Sequence, residues 1–357
     1  MNNYVPFLKF KVNEIAALAT LTPAIKSIIF PFLDLPKKNG MNEDGFMRML
    51  LRSRRAYDKH LKNLPSFFLD NFDIDDAIKV AGDENYSAVI RIFGDLEKFV
   101  PVVGLDRPKS RNDRVFSSKA AGEISGRSIA IRLQYEDFQS FSLIKDELKE
   151  FKRKGEGLFD RWILVMDNRL CLPDDVVQRG NLINRFLQKA QGDFEFSSVI
   201  IAGSSIPASI RDLAKVQTEL HQIRHELAIY RAVSALAHHP DVHFGDYTVV
   251  SPLYSDLNIP PEAMQNVIAA KTIYSYGDVH YIVRGGALKT HSRGRLQYND
   301  IAARIVSQVF YRGPAFSNGD KFLYEKSQHI GSGVTPGTVI KPTINTHITY
   351  MINSFPG

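Results

Sequence analysis

The chain has 357 residues, of which 44% are hydrophobic and 24% charged, values typical of a soluble protein with a large core. Its 23 Phe and 14 Tyr exclude intrinsic disorder, and its one cysteine, Cys171, excludes a disulfide framework. No apolar run approaches the ~20 residues of a membrane span, and the N-terminus lacks the pattern of a signal peptide. We therefore expect a cytoplasmic protein with no membrane partner.

The formal net charge is +6, and most of this positive excess lies in the C-terminal third. From residue 251 onward there are ten Lys or Arg and six Asp or Glu, which leaves 35 and 33 in the first 250 residues. A basic excess favours binding of phosphate groups. A nucleotide, a nucleic acid or another phosphate-bearing ligand is therefore a candidate partner.

Short apolar runs alternate with amphipathic segments over the first 250 residues. The runs predict strands at Val5–Lys11, Ile28–Leu35, Ser66–Asp70, Val100–Asp106, Ser128–Gln134, Arg161–Asp167, Ser197–Ser204 and Val242–Tyr247. The 3.6-residue period predicts helices from Asn13 to Leu21 and over Met47–Leu64, Ile74–Val80, Phe138–Lys152, Asn181–Ala190 and Gln217–Leu236. The helical signal is poor in Lys109–Gly126, so we expect loops to replace one or two helices.

Eight strands with helical connections, spaced by roughly 30 residues, predict an α/β fold with a parallel sheet. Eight such units in 250 residues match the size of a (β/α) barrel of the TIM type, with some irregularity. A doubly wound open sheet is the alternative. We therefore expect a barrel over residues 1–250 and a C-terminal elaboration, residues 251–357, packed on it.

The C-terminal third has a different pattern. Ala270–Tyr276 and Val279–Arg284 alternate around the turn Gly277-Asp278, which predicts a β-hairpin. A helix is predicted over Tyr298–Tyr311 and a structured loop over Gly313–Gly337. The end of the chain, Thr346–Ile352, is a final strand or helix.

Polar side chains follow most of the predicted strands. In Phe-Phe-Leu-Asp70 and Ile-Leu-Val-Met-Asp167, for example, an apolar run ends in an acid. In a parallel barrel such residues lie at the mouth formed by the C-terminal strand ends, where ligands bind. The residues at these positions are Lys9, Lys11, Asp34, Asp70, Asp106, Arg132, Asp167, Ser204 and Asp246.

Carboxylate oxygens are the ligands that divalent metals such as Mg²⁺ prefer, and Mn²⁺ also accepts them. We predict that Asp34, Asp70 and Asp167 hold a divalent metal ion. Lys9 and Arg132 would then act catalytically by stabilising negative charge on a phosphoryl group. The alternative is that each acid caps the following helix or forms a turn.

Four further residues are candidate ligand contacts. Lys11 belongs to the same rim, and Ser204 lies in a Gly-Ser-Ser sequence after an apolar strand, where a helix N-terminus would bind phosphate. Arg284 precedes two glycines whose N–H groups would approach an anion. His347 would share one face of a final strand with Asn345.

Two other interpretations of the same rim stay open. In the first, the protein is a non-catalytic binding or scaffold protein, and the rim is a recognition surface or a network of salt bridges. In the second, the barrel processes a sugar or a small acid, since paired carboxylates also serve glycoside hydrolysis. The absence of a G-x-S-x-G sequence argues against the common serine hydrolase arrangement.

Six short motifs are distributed along nearly the whole chain. They are Tyr4-Val-Pro-Phe-Leu-Lys-Phe-Lys11 followed by Glu14, Pro31-Phe-Leu-Asp-Leu-Pro36, Gly245-Asp-Tyr247, Val283-Arg-Gly285, Phe316-Ser-Asn-Gly-Asp320 and Asn345-Thr-His347. In sequence and in order, these motifs resemble those of the beta protein family of phages and bacteria. The resemblance implies a barrel-like fold and a setting in phages, prophages or bacterial mobile islands. That setting suggests a role in phage–host conflict, for attack or for defence, with a partner protein encoded nearby. It implies no particular reaction.

Overall fold

The structure, a computed structural model, describes residues 4–236, 239, 241–254 and 268–355. Its strands are β1 Tyr4–Lys9, β2 Phe32–Asp34, β3 Phe67–Asp70, β4 Lys79–Val80, β5 Asp83–Glu84, β6 Phe99–Val103, β7 Ser128–Gln134, β8 Arg161–Leu170, β9 Ser198–Ser204, β10 Thr218–Ile223, β11 Val242–Asp246, β12 Ala269–Tyr276 and β13 Val279–Ala287. Its helices are α1 Val12–Ala19, α2 Pro23–Lys26, α3 Glu43–His60, α4 Asn85–Phe93, α5 Lys109–Ala120, α6 Phe141–Gly155, α7 Asp175–Ala190, α8 His225–Ser234, α9 Gln297–Val306, α10 Asn318–Ser327 and α11 Ile340–Asn353.

Eight parallel strands close into a barrel in the order β1-β11-β9-β8-β7-β6-β3-β2. The predicted (β/α) barrel is therefore confirmed, and each predicted strand of the first 250 residues corresponds to one barrel strand. The register places Lys9 opposite Asp34, and Asp34 opposite Asp70, on three neighbouring strands. The polar ends of these strands consequently lie at one level of the barrel.

Aromatic side chains fill the barrel interior beneath that level. Phe7, Phe32 and Phe68 stack on neighbouring strands, with ring centroids 4.5 and 5.3 Å apart. Because side chains alternate along a strand, the residue two positions further along each strand faces the same interior. These residues are Lys9, Asp34 and Asp70.

Helix α5 occupies Lys109–Ala120, where the sequence predicted a loop. Only Val115 and Phe116 supply large apolar side chains to its buried face, and Arg111 and Asn112 are buried beside them. Hydrophobic periodicity does not detect a helix whose buried face is partly charged, because charged residues are counted as exposed. The error therefore has a specific cause, the burial of Arg111.

The predicted helix Ile74–Val80 is wrong. This stretch forms turns that lead into β4, and helix α4 begins only at Asn85. The side chain of Glu84 accepts a hydrogen bond from the Tyr86 amide at 3.0 Å and caps the start of α4. Capping by Glu84 fixes the start of the helix later than the apolar spacing suggested.

The predicted helix Gln217–Leu236 is wrong in its first third. Residues Thr218–Ile223 form β10, which pairs antiparallel with β13, and helix α8 begins at His225. Pairing with a strand some sixty residues later decides the conformation here, for example between Glu219 and Val283. A period measured within one segment does not report such a partner.

The C-terminal part forms a three-stranded sheet in the order β10-β13-β12, covered by helices. The hairpin β12–β13 is confirmed, with Gly277 in its turn at φ +46°. The loop predicted over Gly313–Gly337 contains α10 instead, which the Ser317 hydroxyl caps by accepting from the Asp320 amide at 2.9 Å.

The chain's last helix, α11, lies against the barrel. Of the two predicted possibilities for Thr346–Ile352, helix is correct, so Asn345 and His347 do not share a strand face. Asn345 contacts α1 through the carbonyl of Ala17, and Phe355 beyond the helix packs on Tyr230 of α8. Helix α11 therefore fills the gap in the helical ring between α8 and α1. No helix within the described residues is both long and apolar enough to cross a membrane.

Candidate functional site: the barrel mouth

A fully buried arginine occupies the centre of the barrel mouth. Arg132 Nη1 lies 2.7 Å from Asp34 Oδ1 and 2.9 Å from Asp70 Oδ2, and its Nη2 lies 2.7 Å from Asp167 Oδ2. Nη2 also donates to the Tyr247 hydroxyl at 2.8 Å, and that hydroxyl donates to Asp167 Oδ2 at 2.6 Å. We call the inward-facing set Lys9, Asp34, Asp70, Arg132, Asp167 and Tyr247 the mouth layer.

The charges of the mouth layer fix its protonation. Although burial acts to lower it, the charges of Asp34, Asp167 and Asp70 hold the pKa of Arg132 well above its ordinary value. Burial raises the pKa of Asp34 to about 6, with Arg132 opposing the rise. At neutral pH the layer is therefore one guanidinium shared by three acids, each within hydrogen-bond distance.

Two more arginines support Asp70 from outside the barrel. Arg111 Nη2 lies 2.8 Å from Asp70 Oδ1, and Arg111 Nε donates to Asn71 Oδ1 at 2.7 Å. Arg107 forms ion pairs with Asp70 and Asp106. Although burial raises it, these guanidinium groups and Arg132 hold the pKa of Asp70 below its usual range.

Two aromatic side chains cover the mouth layer. The guanidinium carbons of Arg107, Arg132 and Arg169 lie 5.5, 4.7 and 4.7 Å from the centroid of Phe72. The Tyr254 ring lies over the Lys9 ammonium, with Nζ 3.3 Å from its centroid. Cations on aromatic faces are attracted most strongly where water is excluded.

Several donors at the mouth have no protein acceptor. Lys9 is only 6% exposed, and its Nζ forms no hydrogen bond with any other described residue. Burial lowers the pKa of Lys9 to about 8. Buried atoms without a hydrogen-bond partner here include Arg107 Nε, Gln134 Nε2 and Arg169 Nη1. The mouth therefore contains N–H groups that the described protein leaves without acceptors, together with one carboxylate oxygen, Asp73 Oδ2, that also has no hydrogen-bond partner.

The three acids predicted to hold a metal ion are brought together by the structure, and they surround the Arg132 guanidinium. Each of them already accepts a hydrogen bond from that group. Over the ranges that the structure describes, no group of three or more His, Cys, Asp or Glu side chains is arranged to hold a metal ion. The metal-binding role of Asp34, Asp70 and Asp167 stays a prediction.

A second buried network joins the barrel to the C-terminal part, and we call it the junction network. Asp246 Oδ2 lies 2.7 Å from Arg224 Nη2 and 2.9 Å from His347 Nε2, while Oδ1 accepts from the Tyr4 hydroxyl at 2.8 Å. Arg224 Nε lies 3.2 Å from Glu226 Oε1. The members are Tyr4, Ser205, Arg224, Glu226, Asp246, Ser275, His280 and His347.

His347 continues this network into the hairpin. Its Nδ1 lies 2.7 Å from the Ser275 hydroxyl of β12, which is 2.8 Å from His280 Nδ1 of β13. Asp246, His347 and Ser275 follow the order of a catalytic triad. All three are buried among the described residues, and their hydrogen bonds fasten α11 and the hairpin to the barrel.

With both networks in place, comparison with known proteins decides the family. The model of the family described as Beta protein matches residues 4–353. The chain belongs to the beta protein family. Neither the search of curated proteins nor the search of solved structures gives a match. Both networks of this beta protein family member lie inside the matched range.

The other predicted ligand residues are not gathered at one place. Ser204 is buried at the end of β9, where its hydroxyl accepts from the Ile206 amide at 3.1 Å. Arg284 donates to the Ala214 carbonyl from the C-terminal sheet. Lys11 lies at the surface, 5.3 Å from the Tyr254 ring. His347 lies in the junction network. None of the four contacts Arg132 within the described chain.

Sequence reasoning missed the residues that flank the mouth layer. Arg107 and Arg111 are spaced by one helical turn directly after a predicted strand, and Arg169 follows the predicted site residue Asp167 by two positions. These spacings would have indicated that the three arginines lie near the predicted strand ends. Phe72 and Tyr254 carried no signal, because each lies in a loop whose position depends on the closed barrel.

Proposed function

We propose that this member of the beta protein family acts in phage–host conflict by binding a phosphate-bearing small molecule at the barrel mouth. The ligand would contact Lys9, Arg107 and Arg169, which lie around the covering side chains Phe72 and Tyr254. Nucleotides belong to this ligand class, and a nucleobase would stack on either aromatic ring.

The observation that carries the proposal is the group of buried N–H donors without acceptors. Leaving a buried donor unpaired costs about 1–3 kcal/mol, and more for a charged group. A phosphate group presents several oxygens, and hydrogen bonds from Arg and Lys to such oxygens are the strong ones. A phosphate bound at the mouth would offer acceptors to Arg107 Nε and Arg169 Nη1 and a negative charge to the Lys9 ammonium, which supports a phosphate-bearing ligand over a neutral one.

The roles within this site follow from the contacts. Arg132 shares its N–H groups among Asp34, Asp70, Asp167 and Tyr247, so it would hold the layer in place beneath the ligand. Lys9, with a pKa of about 8, is the group that would exchange a proton near neutral pH if a reaction takes place. A metal ion bound with the phosphate would have to share the aspartates with Arg132.

Thermal unfolding tests the proposal. The midpoint is measured with inorganic phosphate and with a panel of nucleotides, each with and without Mg²⁺ or Mn²⁺. A ligand that binds only the folded state adds about 2.7 kcal/mol at a hundredfold excess over its Kd. We expect at least one phosphate compound to raise the midpoint of the wild-type protein, and Lys9→Met and Arg169→Gln to lose that rise.

The matched control is Lys189→Met, which removes an exposed lysine of α7 away from the mouth and should keep the full rise. The role in conflict is tested by phage plating on bacteria that express either the wild type or Lys9→Met. We expect plating efficiency to differ between these two strains. Absence of any ligand-dependent rise, or an equal loss in Lys189→Met, would contradict the binding site.

A second candidate function is a non-catalytic binding or scaffold protein that uses the same rim. The observation that favours it is the complete engagement of Arg132 by three acids, which is also what a purely structural network requires. Under this hypothesis no phosphate compound raises the midpoint. Lys9→Met would then change capture of a partner protein while leaving the response to phosphate unchanged.

A further inference from the structure

A long groove on the outside of the barrel lies between α1 and α3. Its volume is about 810 Å³. Along α3 it is lined on one face from Gly45 to His60, which corresponds to about 22 Å of helix. Its lining includes no residue of the mouth layer or of the junction network, although Lys11 and Lys37 of the lining contact Tyr254, which covers the mouth.

The floor of the groove is apolar, and three of the residues that line it from the two helices are alanines. Ile15, Ala16 and Ala19 line it from α1, and Met49 and Ala56 line it from α3. Small residues on two neighbouring helices leave room for the backbone of a third helix to come close. A groove of this kind binds the apolar face of an amphipathic helix in several known recognition modes.

The charged residues that line the groove are all basic. They come from four separate segments of the chain and are Lys11, Lys37, Lys38, Arg48, Arg52 and Lys341. None of these six side chains forms an ion pair with another described residue. The groove therefore offers basic side chains that no acid of its own lining pairs with.

We propose that this groove binds an acidic amphipathic helix of a partner protein. The apolar face of the helix would lie on the floor between α1 and α3, and its Asp and Glu side chains would reach the basic residues. Charge complementarity carries this choice, because the lining contains six basic residues and no acidic one.

A single acyl chain with one acidic head is a weaker fit to the same observations. Such a ligand needs positive charge at one end of its site only. Here Arg48 and Arg52 are one turn apart on α3, Lys37 and Lys38 precede that helix, and Lys341 comes from α11. Basic residues spread over four segments match a ligand with acids along its length.

The experiment uses the full chain and three fluorescent probes. The first is a synthetic helix of about 15 residues, matched to the about 22 Å of groove, with a Leu stripe flanked by Glu. The second has Lys in place of each Glu, and the third is a long-chain fatty acid. We expect the Glu peptide alone to bind in fluorescence anisotropy, and to bind more weakly as the salt concentration rises.

Two variants of α3 with the same change of charge locate the site. The double variant Arg48→Glu, Arg52→Glu should weaken binding of the Glu peptide about tenfold, which is about 1.4 kcal/mol. The control, Arg55→Glu with Lys59→Glu, alters exposed residues of α3 outside the groove and should leave the Kd within a factor of about two. Ala19→Trp, which fills the groove, should abolish binding.

Three results would overturn the proposal. Equal weakening by the two double variants would show attraction to the overall charge of α3. Binding of the fatty acid without the Glu peptide would make the groove a lipid site. Binding of neither probe, or equal binding of the Glu and Lys peptides, would show that this surface does not recognise an acidic helix.

Discussion

The mouth layer and the junction network solve the same electrostatic problem in different ways. Each buries an arginine completely and surrounds it with acids: Arg132 with three aspartates, Arg224 with Asp246 and Glu226. The mouth layer is built from side chains at one level of one sheet. The junction network is built mainly from two barrel strands, the start of a helix, a hairpin and the last helix.

The two networks also differ in how many partners stabilise their buried carboxylates. In the junction network Asp246 accepts hydrogen bonds from three side chains, Arg224, His347 and Tyr4, and from the Thr248 amide, so no single residue holds it alone. In the mouth layer Arg132 is the one group common to Asp34 and Asp167. Removing Arg132 should therefore destabilise the mouth layer more than removing Arg224 destabilises the junction network.

The largest effect should follow from Arg132→Met. The substitution leaves Asp34 and Asp167 buried without their common cation, while Asp70 keeps Arg107 and Arg111, and breaking one buried pair alone costs about 3–5 kcal/mol. We expect the free energy of unfolding in urea to fall by at least about 5 kcal/mol. Adding Asp34→Asn and Asp167→Asn should restore part of the loss. A fall no larger than that of Arg224→Met would contradict the difference between the networks.

A smaller effect should follow from Arg224→Met in the junction network. His347 and Tyr4 remain on Asp246 in this variant, so we expect a loss near the lower end for a broken buried pair, about 3 kcal/mol. The same urea measurement gives the comparison. In limited proteolysis, Arg224→Met should in addition be cleaved earlier between the barrel and the hairpin. We do not expect this specific cleavage in Arg132→Met.

The pH dependence of stability separates the acids near the mouth from those of the junction. Burial raises the pKa of Glu14 from 4.5 to about 7, and one of its oxygens has no partner. The folded state then binds this proton more tightly than the unfolded chain. The stabilising effect is complete below about pH 4.5 and is lost as the pH rises to about 7.

Asp246 has the opposite dependence. Although burial acts to raise it, His347 and Arg224 hold the pKa of Asp246 below its usual range. Its contribution is therefore present above the ordinary value of 3.8 and is lost as the pH falls below it. The free energy of unfolding should therefore be greatest at weakly acidic pH, between the titration of Asp246 and that of Glu14.

Glu14→Gln tests this assignment. The wild-type protein at pH 8 bears the cost of a buried charge on Glu14, and the difference from its ordinary pKa corresponds to about 3 kcal/mol. The variant should therefore be up to about 3 kcal/mol more stable than the wild type at pH 8 and equal to it near pH 4.5. Urea unfolding at both pH values measures this, and a gain of the same size at both would refute it.

The smallest effects should come from the two tyrosine hydroxyls. Tyr247→Phe removes a donor to Asp167, and Tyr4→Phe removes a donor to Asp246. Each should cost about 1.5–2 kcal/mol, the lower part of the range for a hydrogen bond to a charged group, because each carboxylate keeps other partners. Thermal midpoints of the two variants compare the networks directly. A loss for Tyr4→Phe as large as that for Arg224→Met would show that Asp246 depends on one partner after all.

The same difference explains what the sequence predicts about this molecule. Lys9, Asp34, Asp70, Arg132 and Asp167 each end a barrel strand, and a parallel barrel brings such ends together, so the sequence alone indicates their proximity. The strand pattern likewise predicts the barrel. The central position of Arg132 is not predicted, because it depends on side-chain length and direction across the barrel.

The junction network cannot be predicted from local sequence patterns. Its contact between Asp246 and His347 depends on α11, which the sequence left open as strand or helix. Helix α5 was missed for a related reason, since its buried Arg111 has its partner Asp70 on another strand. In both places the conformation of the segment depends on a contact with a residue that is distant in the sequence.

The placement of α11 has a consequence for synthesis on the ribosome. Asn345 of α11 donates to the carbonyl of Ala17, 328 residues earlier. Ribosomes add roughly 5–20 residues per second, so Asn345 is synthesised roughly 16 to 66 seconds after Ala17. During that interval the nascent chain exposes the surface of α1 that α11 later covers.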